Sequence, residues 1–140
     1  MHVLVPVDGS DPSDVALEYA LEQFGDEDVL ALTVIDPVDG ATTWGPGSAD
    51  DWLDSAKTRA DAVLADAAER AAEAGVDVET DRSVGRPART IVEYADEHDV
   101  DHIVVGSHGR EGISRVLLGS VAETVVRRSS VPVTVARRED

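Results

Sequence analysis

The sequence predicts a single-domain α/β fold, an open sheet of five parallel strands with four helices on its two faces. Three observations carry this. Apolar, β-branched runs alternate with longer stretches of helical period along all 140 residues. Most strand runs are apolar at nearly every position, as strands buried on both faces must be. The order is strand then helix, four times over, closed by a fifth strand, which implies parallel strands joined by crossover helices.

The first strand is His2 to Val7. Asp11 is the expected N-cap of the first helix, with Pro12 at its first helical position and Val15, Ala16, Tyr19, Ala20 and Phe24 as its apolar stripe; Gly25 ends it. Val29 to Ile35 is the second strand. Asp36 to Ala49, rich in Gly, Pro and Thr, reads as a long loop. A long alanine-rich helix runs from Asp50 to Ala74, with Gly75 as its C-cap. Val76 to Val84 alternates apolar and acidic residues early on, which suits a strand near the sheet edge. Gly85-Arg86-Pro87 opens the third helix, which reaches His98. His102 to Val105 is the fourth strand, Gly106 to Gly119 a loop, Ser120 to Arg128 the fourth helix and Val131 to Ala136 the fifth strand. Pro132 confines that last segment to a strand start or a sheet edge. The expected strand order is 3-2-1-4-5, a doubly wound, Rossmann-like arrangement. Such sheets bind ligands beyond the carboxyl ends of their strands, where the order reverses.

A chain of this length suits one domain, residues 1 to 140. It has no cysteine, which excludes disulfides and thiolate metal sites. No segment reads as a signal peptide or a membrane span, so a cytoplasmic protein is expected. Asp and Glu number 29 against 12 Lys and Arg, a net charge of -17, and Lys57 is the only lysine. The acid is spread along the chain, and 42% hydrophobic content argues against disorder. It reads as the solvated acidic coat of a halophile. Duplex nucleic acid and anionic membranes would both be repelled, so neither is an expected partner.

The chemistry concentrates after the fourth strand. Gly106-Ser107-His108-Gly109-Arg110 is followed by eight residues and then by Gly119-Ser120, which opens a helix. Glycine lets a ligand approach the backbone, and a helix N-terminus offers free N–H groups and a positive dipole end to phosphate. Taken singly, each glycine reads as a turn and Ser120 as an N-cap; together, after a buried strand, they read as a phosphate site.

The spacing Gly106-x2-Gly109-x9-Gly119-Ser120 resembles the ATP-binding signature of the universal stress protein family. Pro6-Val7-Asp8-Gly9-Ser10, Thr33-Val34-Ile35-Asp36, Gly85-Arg86-Pro87 and Ser130 to Val135 resemble its other motifs. The resemblance implies ATP as ligand. It implies that Asp8 holds the ribose or adenine side, with Pro6 and Val7 packing nearby, and that the backbone at Val34 reads the adenine edge. Val105 and Gly106 would floor the site. His108 and Gly109 would form the ribose–phosphate turn, with Arg110 beside them among the nucleotide-binding residues, and Gly119, Ser120 and Val121 the phosphate cradle. Ala122 stands where some ATP-binding members carry a hydroxyl. The resemblance also implies a homodimer paired through Val131 to Ala136, where three valines mark an open edge. With the acidic composition it points to a halophilic archaeal host.

Rival phosphate motifs fail. A Walker A loop needs Lys before its Ser/Thr, and Gly119 precedes Ser120; Asp8 to Ser13 is no dinucleotide fingerprint. No histidine pair has metal-ligand spacing, and Asp8 is a lone carboxylate that could help hold Mg²⁺ only through the phosphates. Three functions stay open: a nucleotide-dependent stress-response or signalling module without fast turnover, a weak ATPase or phosphotransferase using His108 or Asp8, and an interaction module with a vestigial site. The lack of an arranged base–nucleophile pair favours the first.

Overall fold

The computed structural model describes residues 1–37, 49–107 and 119–137. In chain order the elements are β1 (His2–Pro6), α1 (Asp11–Phe24), β2 (Asp28–Ile35), α2 (Ala49–Glu73), β3 (Val78–Val84), α3 (Pro87–Glu97), β4 (His102–Gly106), α4 (Ser120–Arg128) and β5 (Val133–Ala136). The five strands form one parallel sheet in the order β3-β2-β1-β4-β5, as the sequence predicts.

Alternate residues of the strands feed opposite faces, as the period of two requires. Val3, Val5 and Val7 of the first strand segment pack with Val29, Ala31 and Val104 under α1 and α2. Leu4, Leu32, Ile103 and Val105 point the other way, under α3 and α4. Two packed layers explain why these runs contain almost no polar residue: neither face of a central strand meets water. Leu4 and Leu32 are fully buried, and truncating either to Ala would cost about 2–5 kcal/mol. β3 lies at one edge, as its sequence suggests, but its exposure does not alternate: Glu79, Thr80, Asp81 and Arg82 are all exposed. β5 closes the other edge, paired only with β4 among the described strands.

Several local readings need correction. The N-cap of α1 is Ser10, not Asp11: its backbone is extended, and its hydroxyl accepts from the Ser13 N–H at 3.3 Å. Asp11 instead begins the helix and joins Asp14 in the first turn, where acid faces the positive dipole end. Gly25 does not end α1 through a left-handed conformation, since its φ is -61°. It is glycine for space: a Cβ there would lie 2.6 Å from the Leu21 carbonyl oxygen. Gly75 does take the left-handed cap, at φ 75°. The fifth strand starts at Val133. Val131 and Pro132 precede it, and the Pro132 carbonyl accepts from the Ile103 N–H at 3.0 Å.

A crevice where the strand order reverses

β1 and β4 are neighbours, with Val3 beside His102 and Leu4 beside Ile103, and the sheet grows outward from this pair in opposite directions. α1, which follows β1, packs on one face of the sheet and α4 on the other, so the two helices flank the carboxyl ends of this strand pair. A crevice of about 600 Å³ opens there. That volume is in the range of small-molecule sites.

Nine of the twelve residues singled out in the sequence line this crevice: Pro6, Val7, Asp8, Val34, Val105, Gly106, Gly119, Ser120 and Val121. The other three, His108, Gly109 and Arg110, lie outside the described residues. Ser10, Pro12, Ser13, Leu32, Asp36, Pro87 and Ile91 line the crevice too, and none of them reads from the sequence as a ligand contact. A signal for two of them was present, because Ser10 and Ser13 have the three-residue spacing of an N-cap and its partner. Leu32 and Ile91 carried none, since they belong to the core and reach the crevice only as its floor.

The wall from β1 is held by a ring of hydrogen bonds. The Asp8 N–H donates to Ser13 Oγ (3.3 Å), Ser13 Oγ donates to the Ser10 carbonyl (3.1 Å), and the Ser10 N–H donates back to Asp8 Oδ1 (2.9 Å). Gly9 sits inside this turn at φ 83°, a conformation that side chains resist. One carboxylate oxygen of Asp8 is thereby fixed by the turn. Beneath it, buried Thr33 donates its hydroxyl to the Val7 carbonyl at 2.9 Å, and the Val7 N–H donates to the Leu32 carbonyl at 2.8 Å. These bonds carry β1 one residue beyond the ladder and aim Asp8 past the sheet.

The opposite wall is the start of α4. Gly119 is its N-cap at φ -64°, ψ 161°, with no side-chain cap bond, and Ser120 is the first helical residue, exposed to solvent. Ser120 is thus not the cap. The Gly119 carbonyl accepts from the Glu123 N–H at 2.9 Å, while the N–H groups of the first turn face outward without an intrahelical acceptor. Val121 and Ala122 follow, one exposed and one buried. The floor is apolar: Leu32, Val34, Ile91, Val105 and Ala122. Among the described lining residues the charged groups are two carboxylates, Asp8 and Asp36, and no cation. Nearby, burial pushes the Asp14 carboxyl up, with Arg70 pulling the other way. Arg70 lies 3.5 Å from Asp14 and 3.4 Å from Glu18, and bonds Asp66 at 2.9 Å, so one guanidinium joins α2 to α1.

An apolar floor, a fixed carboxylate on one side and a helix N-terminus on the other define an open α/β domain with a ligand crevice at its switch point. Comparison places this domain more narrowly. A model of the universal stress protein family matches residues 1–137, and the chain belongs to that family. It is 34% identical to universal stress protein MJ0531 of Methanocaldococcus jannaschii, over 97% of this chain and 81% of that one. Its fold matches that of the universal stress protein UspA from Lactobacillus plantarum with a TM-score of 0.80, at 27% identity over 98% of this chain and 97% of that one. A universal stress protein solved in complex with cAMP matches with a TM-score of 0.70 and 32% identity, over 97% and 96% of the two chains. Among the described residues no helix is long and apolar enough to cross a membrane.

Proposed function

We propose that this chain binds an adenine nucleotide, ATP, in the crevice between β1 and α4, and acts as a nucleotide-dependent stress-response module without fast turnover. One observation carries the reading: a fixed carboxylate and the N-terminus of α4 face each other across an apolar floor. Each of the three suits a different part of a nucleotide. The floor takes the base, Asp8 accepts from ribose hydroxyls, and the first-turn N–H groups of α4 take phosphate. The relative in complex with cAMP, an adenine nucleotide with one phosphate, supports the same ligand class here.

His108, Gly109 and Arg110 complete the site in this reading, on the family resemblance. Mg²⁺ would arrive on the phosphates, and Asp8 could help hold it only through them; among the described residues no group of three His, Asp or Glu makes a metal site of its own. On this reading turnover stays well below the order of 1 s⁻¹ typical of enzymes, because the sequence offers no arranged base–nucleophile pair. The exposed edge of β5, with the half-buried Val133 and Val135 and the preceding Val131, pairs two copies into a homodimer in the cytoplasm.

The test is to denature purified protein with acid and identify any released nucleotide by mass, then to titrate ATP, ADP and AMP by calorimetry. Stoichiometric binding of an adenine nucleotide is expected. Absence of binding by all three would overturn the reading. Light scattering in high salt checks the dimer; a monomer mass would refute it.

A further inference from the structure

Few polar side chains are buried in this domain: among the described residues they are Ser13, Thr33 and Ser107. Two of the three grip the same peptide unit. The Val7 carbonyl and the Asp8 N–H are the two ends of the planar group that joins these residues. Thr33 Oγ1, from β2, donates to the carbonyl end at 2.9 Å, and the N–H end donates to Ser13 Oγ, from α1, at 3.3 Å. Thr33 continues the row of Val29 and Ala31, which pack in the core under α1 and α2. A hydroxyl in that row costs desolvation that only its own hydrogen bond offsets. The register of β1 with β2 ends at Pro6 opposite Leu32, so these side chains hold the Val7–Asp8 peptide in place of a neighbouring strand.

We infer that Thr33 is a positioning residue for ribose recognition, and that the site it serves selects ribonucleotides over 2′-deoxyribonucleotides. The inference rests on the nucleotide reading given above and adds the residue that orients its carboxylate. Rotation of the Val7–Asp8 plane swings the Cα–Cβ bond of Asp8, and with it the whole carboxylate. Bonds at both ends of the plane, one to β2 and one to α1, oppose that rotation. Asp8 Oδ1 accepts from the Ser10 N–H at 2.9 Å, and Oδ2 has no partner among the described residues. The two oxygens therefore keep acceptor capacity for the vicinal hydroxyls of a ribose. Asp8 is exposed and lines the crevice, whereas Thr33 is buried and is not part of the lining. Thr33 thus acts on a ligand only through the Val7–Asp8 backbone. A hydrogen bond to a charged acceptor changes affinity by about 10- to 100-fold, but only at good geometry. A carboxylate released to swing keeps its charge and loses the selection.

The experiment titrates the full chain with ATP and with 2′-deoxy-ATP by calorimetry and reads the ratio of the two affinities. It is run on wild type, Thr33→Val, Thr33→Ser, Asp8→Asn and Asp8→Asn/Thr33→Val. Loss of folded protein weakens both ligands equally and cancels in the ratio, as does any contact to the base or the phosphates. A ribose contact made elsewhere in the site is common to all the proteins compared. Wild type is expected to prefer ATP by about tenfold or more. Thr33→Val should lower that preference by about threefold or more, and Thr33→Ser, which keeps the hydroxyl, should retain it. In the Asp8→Asn background Thr33→Val should change the ratio no further, because it acts through that carboxylate. An unchanged ratio in Thr33→Val, or an equal fall in the Asp8→Asn background, would overturn the positioning role and leave nucleotide binding intact. A wild-type ratio near one would overturn the selection itself. If wild type binds neither nucleotide, the nucleotide reading fails, and this inference with it. Should Thr33→Val not fold, Ser13→Ala frees the same peptide from its other end and should lower the ratio in the same way; a ratio equal to that of wild type would overturn the inference.

Discussion

The backbone of Pro12 occupies the space where Gly106 would carry a side chain. A Cβ on Gly106 would overlap the Pro12 carbonyl, and would lie 2.9 Å from Pro12 Cβ. The first turn of α1 therefore rests directly on the last residue of β4, and this contact sets the width of the crevice. Gly106 is glycine because of packing within the protein, whereas Gly119 has φ and ψ open to any residue and no conformational need for glycine.

These two glycines should respond differently to substitution. Gly106→Ala forces α1 away from β4 and should cost about 1–3 kcal/mol, the usual range for overpacking. Gly119→Val should leave the melting temperature within a few degrees and place a branched side chain before the first-turn N–H groups. Losing two charge-assisted bonds of about 1.5–3 kcal/mol each implies at least a hundredfold weaker ATP binding. Calorimetric titration beside melting curves of both variants checks the pair. A well-folded Gly119→Val with unchanged ATP affinity would place the phosphate elsewhere. Ser120→Ala, which removes no helix cap, should leave stability unchanged within about 0.5 kcal/mol.

The strand order and the position of the crevice were legible in the sequence because the strand runs are apolar on both faces and the loops with unusual residues follow strands one and four. Nine of the residues named from sequence do line one crevice. What was not legible depended on contacts between distant segments. Gly106 reads from sequence as a ligand contact, and only the fold brings Pro12 against it. Asp11 and Ser10 are both good N-cap residues, and the choice between them was made by Asp8, whose carboxylate binds the Ser10 N–H and sets the turn one residue earlier. Gly25 looks like a left-handed cap, but the Leu21 carbonyl, not its own φ, excludes a side chain. Val131 looks like strand, yet the ladder of β5 with β4 begins at Val133.

Asp99 offers a stabilising change. It follows α3 at φ 53°, the left-handed position that glycine fills most easily, while the His98 and Val100 N–H groups bond the carbonyls of Tyr94 and Ala95 at 3.0 Å each. Asp99→Gly removes the backbone strain and a negative charge from the negative end of the helix dipole. It should stabilise the domain by about 0.5–1 kcal/mol, read as a rise in melting temperature. A lower melting temperature would show that the Asp99 side chain contributes more than the strain costs.

His102 should give stability a pH dependence of known sign. Its Nε2 lies 2.6 Å from Thr134 Oγ1 and its ring packs against Phe24. Burial pushes its pKa below the ordinary 6.5. The unfolded chain therefore takes the proton first. The stability of the neutral, half-buried ring is complete above about pH 6.5 and is lost as pH falls through that value toward the folded-state pKa. Denaturant unfolding at steps between pH 5 and 7.5 should show this slope in the wild type and a smaller slope in His102→Gln. Equal slopes would mean that His102 titrates alike in both states.

The acidic coat should make the fold itself dependent on salt. The net charge is -17, and one arginine, Arg70, faces Asp14, Glu18 and Asp66 between α1 and α2. Folding brings these like charges together, so repulsion acts more strongly on the native state than on the expanded chain. Screening from 0.1 M to 1 M salt should relieve roughly 4 kcal/mol of this, worth about 10–20 °C in melting temperature. Replacing the exposed Glu22, Glu69 and Glu73 by Gln tests the cause. Such surface changes ordinarily alter stability by less than about 0.5 kcal/mol. Here the triple variant should melt several degrees higher than the wild type at 0.1 M KCl and nearly with it at 2 M. A general salting-out effect would instead shift both proteins in parallel, with the same slope against salt. Melting curves of the two in KCl and in NaCl at matched ionic strength decide between these outcomes. Parallel slopes would assign the salt dependence to burial of apolar surface rather than to the acidic coat.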